Sequence, residues 1–184
     1  MKWIAVGVAF PMLLSGCAPY AVSYYEPNAD SGMPFRGMCH SGPISNIEFT
    51  RGDRKLFVYS RFKPHTDHDF SIDLQLGLLP TDSGSVNWHD AQITLPNGGD
   101  AQVTIESYAY NLPYTNSSPR HTIDTDTVDG SKFAGYDYVL IIHSQLPDEF
   151  TYTVPMMTID GITYPSTDVR FVRKSGFWIV PINC

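Results

Sequence analysis

The chain has 184 residues, a length that suits one domain with its own hydrophobic core. Its formal net charge of −7 provides no general electrostatic attraction to nucleic acids or to anionic lipid headgroups, which argues against a nucleic-acid partner. Its 14 prolines and 14 glycines interrupt most windows that could otherwise form a long helix.

Residues 1–16 have the layout of a signal peptide. Lys2 supplies a positive charge, and the apolar run WIAVGVAFPMLL is too short for a permanent membrane-spanning helix. The run leads through LLSGC directly into Cys17. The chain has three cysteines, and an odd number in an exported protein leaves one without a disulfide partner. Cys17 is the candidate for that role.

The LLSGC motif resembles the lipobox of bacterial lipoproteins. In that family the cysteine thiol receives a diacylglyceryl group, the chain is cut before the cysteine, and the new amino group is usually acylated. The resemblance implies a lipidated Cys17, and two or three acyl chains make such an anchor effectively permanent. Ala18 and Pro19 follow, where an aspartate would be the usual inner-membrane retention signal. The resemblance therefore implies an outer-membrane lipoprotein facing the periplasm. The alternative is an ordinary cysteine in a membrane-anchor helix.

Cys39 and Cys184 remain as an even pair once Cys17 is assigned to lipid. Export brings them to an oxidising compartment in which thiols tend to pair. We therefore predict a disulfide bond that joins the start of the folded region to the last residue. The alternative is a pair of free, buried thiols.

Residues 17–43 are rich in Pro, Gly, Ser and Asn and lack a sustained period, which predicts a flexible tether. Within them, VSYY is apolar enough to form a short edge strand instead. Residues 44–184 are predicted to form the folded domain.

Three segments of this domain predict β-hairpins. IEFTRGDRKLFVYSRF closes around Gly52, and MMTIDGITYP contains an Asp-Gly pair that suits a two-residue type I′ turn. In QITLPNGGDAQVTIESY, a loop containing glycine separates two apolar runs. Ile93 and Leu95 are predicted to pair there with Val103 and Ile105.

The remaining strand patterns indicate the fold class. FSIDLQLGL alternates apolar and polar residues and predicts a half-buried strand, whereas YDYVLIIHS and GFWIVPI are apolar on both faces and predict central strands. We count about ten strands and no sustained helical stripe after residue 17. The sequence therefore predicts an all-β fold, an antiparallel β-sandwich, with a flattened barrel as the alternative.

The segment KPHTDHDF carries a candidate metal site. His65, Asp67 and His68 are ligand types that bind zinc and other divalent ions. A catalytic zinc needs three protein ligands around an open position, and the third would have to come from elsewhere in the fold. The alternative to a metal-dependent hydrolase site is a solvated loop that opens the next strand.

The segment DTDTVDG resembles part of a calcium loop, because Asp124 and Asp126 alternate as its first carboxylates do. The match to an EF-hand fails at Val128, which stands where Asp or Asn is needed, and at Asp129, which stands where Gly is needed. The alternatives are a non-EF calcium site and a polar loop with Asx turns.

Aromatic residues supply a candidate ligand platform. Tyr108 and Tyr110 lie on one face of a predicted strand, with Tyr114 in the loop beyond them, and Trp88 in SVNWHD is predicted to be exposed. Such rings stack on sugars or peptides. The alternative is an ordinary position at the polar edge of a sandwich core.

Nucleophilic catalysis has no motif in this sequence, since neither G-x-S-x-G nor S-x-x-K occurs, and no cofactor is predicted. GMCHSGP, IDGITYP and PINC resemble segments of exported bacterial β-sandwich lipoproteins. The favoured hypothesis is a lipid-anchored, non-enzymatic envelope protein with a structural or protein-docking role. The alternatives are a module that binds glycan, peptidoglycan or peptide, and a metal-dependent hydrolase.

Overall fold

The computed structural model describes residues 20–36, 43–62, 70–111, 120–143 and 146–178. In these ranges the chain forms β-strands and one short 3₁₀ turn, Trp88–Asp90. The strands are β1 (Tyr20–Asn28), β2 (Met33–Arg36), β3 (Ile44–Arg51), β4 (Arg54–Phe62), β5 (Phe70–Gly77), β6 (Ser83–Val86), β7 (Gln92–Thr94), β8 (Val103–Tyr110), β9 (Arg120–Thr122), β10 (Thr127–Asp129), β11 (Gly135–Ile142), β12 (Glu149–Val154), β13 (Met157–Ile159), β14 (Ile162–Tyr164) and β15 (Thr167–Trp178). None of the helical segments described is long and apolar enough to cross a membrane.

The strands form three antiparallel sheets. A seven-stranded sheet, called the large sheet below, has the order β2-β3-β4-β5-β11-β8-β9. The second sheet has the order β1-β15-β12-β7, and the small sheet has the order β10-β6-β13-β14. Buried apolar side chains of all three sheets form one core between the layers. The predicted all-β antiparallel sandwich is therefore confirmed, with more and shorter strands than the ten expected.

Aromatic contacts join the two layers of the core. Tyr25 of β1 lies edge-on to Phe70 of β5 and to Phe150 of β12, with ring centroids 5.1 and 5.0 Å apart. Phe171 of β15 stacks on Phe150 at 5.2 Å. The Tyr25 hydroxyl donates a hydrogen bond to the carbonyl of Pro147 at 2.9 Å. Tyr25 therefore buries a large ring while its polar atom keeps a partner.

Residues 20–36 belong to the folded domain, which corrects the predicted tether in this part of the chain. β1 pairs with β15 along nine residues, and β2 pairs with β3. The polar composition of the segment is misleading because one face of β1 carries Tyr25, which is 2 % exposed. Its burial against the core outweighs the low strand propensity of the neighbouring polar residues.

Two of the predicted hairpins are confirmed. β3 and β4 are joined at Gly52, whose φ of 62° is in the left-handed region. β13 and β14 are joined by Asp160 and Gly161, with φ of 51° and 76°, as a type I′ turn requires. Both turns depend on residue types that tolerate positive φ, so short local segments determine them.

The predicted hairpin between β7 and β8 is wrong. Ile93 of β7 lies opposite Tyr152 of β12 in the second sheet, whereas Val103 and Ile105 of β8 pair with β11 in the large sheet. The amide of Ala101 donates to the carbonyl of Ile93 at 2.8 Å, so the chain does turn back at PNGGD before it crosses to the other layer. Pairing along all eight residues of β8 with β11 buries more surface than a three-residue hairpin would.

β5 is buried on both faces, which corrects the prediction of a half-buried strand. Its apolar residues face the core, and on the opposite face Asp73 and Gln75 are 6 % and 9 % exposed. They lie directly opposite Tyr59 and Phe57 of β4, whose larger side chains flank them. A short polar side chain between bulkier neighbours loses solvent contact even on the outer face of a sheet.

The predicted central strands occupy inner positions. β11 lies between β5 and β8 and is buried along almost its whole length, which confirms the prediction for YDYVLIIHS. β15 lies between β1 and β12 and contains the first residues of GFWIVPI. Residues 179–184 lie outside the described ranges.

A cluster of three charged residues, named the closed rim, fastens the large sheet to the small sheet. Arg54 Nε of β4 donates to Asp82 Oδ2 at 2.6 Å, and its Nη2 donates to Asp160 Oδ2 at 2.7 Å. The backbone amide of Leu79 also donates to Asp82, at 2.8 Å. The hydrogen bonds from Arg54 lower the pKa of the buried Asp82 carboxyl, against the opposing effect of burial.

Candidate functional site

Several predicted site residues lie outside the described ranges, and their roles stay predictions. They are the lipidation site Cys17, the disulfide pair Cys39 and Cys184, the metal candidates His65, Asp67 and His68, and Tyr114.

The three aspartates of DTDTVDG do not converge on one ion. Asp129 Oδ1 accepts hydrogen bonds from the Ser131 Oγ and amide at 2.6 and 3.0 Å, and Lys132 Nζ lies 3.1 Å from Asp129 Oδ2. These contacts, led by Ser131, lower the pKa of Asp129. Asp124 and Asp126 instead line a cleft. Across the described ranges, no three His, Cys, Asp or Glu side chains form a group that could hold a metal.

Trp88 is buried, in contrast to its predicted exposure. It lies in the 3₁₀ turn after β6, where the Asn87 side chain donates to Asp90 Oδ2 at 2.9 Å. The residue is 6 % exposed, and its ring stacks on Tyr138 of β11. Trp88 therefore forms part of the core, and only the small exposed fraction of the residue reaches the cleft described below.

Tyr108 and Tyr110 lie on the same face of β8, as alternation predicts, but in different surroundings. The Tyr108 hydroxyl donates to Glu106 Oε2 at 2.8 Å, which raises the pKa of the tyrosine, and the Arg120 guanidinium lies 5.7 Å from its ring centroid. Tyr110 is 7 % exposed and faces Gly135 of β11, where any side chain would collide with the tyrosine hydroxyl. Neither Tyr110 nor Trp88 therefore presents a free ring for stacking.

An open cleft of about 610 Å³ lies where the two layers separate at the β8 border. It is bounded by one half of β8, by residues 122–126 and by Trp88 at its inner end. Ile105 belongs to the core-facing side of β8, because Leu140 and Ser107 share that face, yet it is 36 % exposed. The layers are therefore not closed over this strand.

The lining of the cleft is acidic. Glu106, Asp124 and Asp126 are exposed and line it together. Among the described residues, none of these three carboxylates has a lysine or arginine within ion-pair distance. We name these three residues and Ile105 the open rim, and it combines an apolar surface with negative charge.

The backbone of β8 is uncovered at the same place. β9 pairs with β8 only along Tyr108 to Tyr110, and beyond it the amide of Ile123 donates to the carbonyl of Ser107 at 3.0 Å. Alternate residues of a strand direct their N–H and C=O groups to the same edge, so Ile105 directs its pair away from β11. No described residue pairs with Ile105 at that edge.

Sequence reasoning identified Trp88, Tyr108, Asp124 and Asp126 separately and missed Ile105 and Glu106. The segment VTIES looks like any half-buried strand, and nothing local marks it as the strand whose partner ends early. The feature that leaves part of β8 unpaired is the three-residue length of β9. That length is a result of strand pairing, so the composition of the segment does not indicate it.

No protein-family model matches this sequence, and no curated protein matches it. Among solved structures, the chain is similar to the GAE domain of GGA2p from Saccharomyces cerevisiae, with a TM-score of 0.35 and 6 % sequence identity. That similarity covers 74 % of this chain and 97 % of the other.

Proposed function

We propose that this chain is a lipid-anchored, non-enzymatic protein of the cell envelope that docks a protein partner at the open rim. The observation that carries the proposal is the acidic cleft beside an uncovered strand edge. A strand edge offers main-chain hydrogen bonds and a cleft offers side-chain pockets, which together suit a polypeptide ligand.

The anchoring part of the proposal is supported by LLSGC and the signal-peptide layout before it. Lipid on Cys17 would hold the folded domain at the outer membrane, on the periplasmic side, close behind β1. The pairing of Cys39 with Cys184 remains part of the same proposal, because an exported domain meets oxidising conditions.

The docking part is favoured over glycan binding by the burial of the aromatic rings. A sugar platform needs exposed ring faces, and both Trp88 and Tyr110 are more than nine-tenths buried. Tyr108 is engaged with Glu106 and Arg120. The exposed side chains at the cleft are instead three carboxylates, two threonines and an isoleucine, beside a β8 edge that no described strand covers at Ile105.

The anchor is tested by replacing Cys17→Ser in cells that make the protein. The variant should lose labelling by an alkyne fatty acid and leave the membrane fraction, because the thiol that carries the lipid is gone. Serine in place of Cys39 is the control and should retain both label and membrane attachment. Continued labelling of the Cys17→Ser chain would contradict the anchor.

Docking is tested by placing a photo-crosslinking amino acid at Ile105 in living cells. Adducts of reproducible mass should form from this position and disappear when Asp124→Lys and Asp126→Lys are added. Position 162 is the matched control, because Ile162 is an equally apolar residue, 55 % exposed, on the small sheet. Identical adducts from both positions, or no protein adduct together with retention on a glycan array, would contradict the proposal.

A further inference from the structure

We propose that the docked partner contributes an extended, basic segment that adds a strand to the uncovered edge of β8 beside Ile105. This inference rests on the proposed docking function and specifies its geometry and its ligand class.

The first step is the direction of the free backbone groups. The carbonyl of Ser107 accepts a hydrogen bond from the amide of Ile123. The backbone N–H and C=O groups of Ser107 therefore point toward the β9 side of the strand. Ile105, two residues earlier, faces the same side, and no described strand lies against it. Within the described ranges, the N–H donor and the C=O acceptor of Ile105 therefore have no backbone partner and point outward in the geometry of a β ladder.

The second step is the contrast with β2, the strand at the opposite edge of the large sheet. β2 contains Pro34, has a register shift between Phe35 and Arg36, and ends in a charged residue. These features block the addition of another strand. β8 pairs with β11 from Val103 to Tyr110 without a shift and contains neither proline nor lysine. The β8 edge thus lacks the proline and the register shift that protect β2, and its only charged residue is Glu106.

The third step is the side-chain pattern of the incoming strand. Successive side chains of a strand alternate between faces, so every second residue would enter the cleft beside Ile105 and Trp88. Those positions favour aliphatic side chains. The intervening residues would lie on the other face of β8, beside Glu106, which borders the cleft from that face.

The fourth step is charge. Glu106, Asp124 and Asp126 lack a cationic neighbour within ion-pair distance in the described residues, so a ligand that carries lysine or arginine supplies the missing charge. A second copy of this chain is disfavoured as the occupant, because its net charge is also −7. The occupant is therefore a segment of a different, basic protein.

The test uses the full lipidated chain in detergent micelles and a nine-residue peptide that alternates lysine and valine. We expect saturable binding in calorimetry and about tenfold slower hydrogen exchange at the Ile105 amide. The same peptide with alternate backbone nitrogens methylated should bind about tenfold more weakly, because it cannot donate to the edge. Equal affinity of the two peptides would overturn strand addition.

Protein variants test the same edge from the other side. Ile105→Pro removes an N–H that points away from β11 and should weaken peptide binding about tenfold. Circular dichroism and thermal unfolding show whether that variant folds. If it does not fold, the methylated peptide still tests the backbone hydrogen bonds, because it is used with the unaltered chain.

Charge variants test the ligand class. Asp124→Asn with Asp126→Asn should weaken binding about fivefold, and high salt should do the same. Asp53→Asn with Asp148→Asn makes an equal charge change at exposed positions outside the cleft and should leave the affinity within about twofold. Equal affinity for a peptide with glutamate in place of lysine would overturn the basic ligand.

The outcomes separate this inference from the docking function. If position 105 forms protein adducts but methylation of the peptide backbone does not change the affinity, docking is supported and strand addition is overturned. Adducts that join two copies of this chain would overturn the basic partner as the occupant. Absence of any adduct at the open rim would overturn both.

Discussion

The closed rim and the open rim both contain aspartates, but the two sets of aspartates have different neighbours. At the closed rim, Asp82 and Asp160 bind Arg54 and hold the small sheet against the large sheet. At the open rim, Asp124 and Asp126 line the cleft, and no lysine or arginine of the described residues lies within ion-pair distance of them. A carboxylate in this fold stabilises the packing of two sheets where a neighbouring strand brings an arginine to it. Where none of the described strands does so, we propose that the carboxylate binds a ligand.

The largest expected effect is at the closed rim. Asp82→Asn leaves the partly buried Arg54 without its main partner and should lower the free energy of unfolding by about 2–4 kcal/mol in urea titrations. Asp124→Asn at the open rim is the control and should change stability by less than about 0.5 kcal/mol. Equal losses for the two variants would remove the distinction between the rims.

Acid should weaken the closed rim by a smaller amount, because protonation of Asp82 leaves its hydrogen bonds partly in place. The pKa of Asp82 is lower in the folded chain than in the unfolded chain, chiefly through the hydrogen bond from Arg54. The part of its contribution that depends on the charged carboxylate is therefore complete above the unfolded pKa and is lost as the pH falls through the lowered folded pKa, below roughly pH 4. Between pH 5 and 2, Asp82→Asn should lose less stability than the unaltered chain. Parallel pH profiles of the two chains would refute this assignment.

The smallest of these effects concerns the turn that carries Asp160 into the closed rim. Gly161 has a φ of 76° and open space where a Cβ would lie, so Gly161→Ala incurs only backbone strain, about 1 kcal/mol. The melting temperature should fall by about 2–4 °C. Gly77→Ala is the matched control, because Gly77 also has open space but no positive φ. A similar fall in both variants would show that the turn adds nothing specific to the rim.

Local sequence features predicted the parts of the fold that depend on a few neighbouring residues. Asp160 and Gly161 identify their turn because both need positive φ, and the apolar run at β11 identifies an inner strand. The β7–β8 hairpin failed because its two strands have competing partners far along the chain. Ile93 lies opposite Tyr152, and the energy of that pairing depends on packing between layers.

Several residues of the candidate site could be predicted from the sequence, but their position beside one another in the fold could not. Asp124, Asp126 and Trp88 were identified from their sequence surroundings, but no local pattern brings residues 88, 105 and 124 together. The calcium pattern failed because Asp129 is engaged by Ser131 and Lys132 in its own turn. Convergence of distant residues follows from strand order, which loop closure and core packing decide together.

Three features could be predicted from the sequence because each depends on residues close together in the chain: the all-β class, two tight turns and the central strand β11. Three other features depend on tertiary contacts: residues 20–36 are part of the folded domain, β5 is buried on both faces, and no described strand covers the β8 edge at Ile105, beside the acidic cleft. Alternation specifies the faces of a strand but not its neighbours, and the neighbours determine which edges and charges remain free.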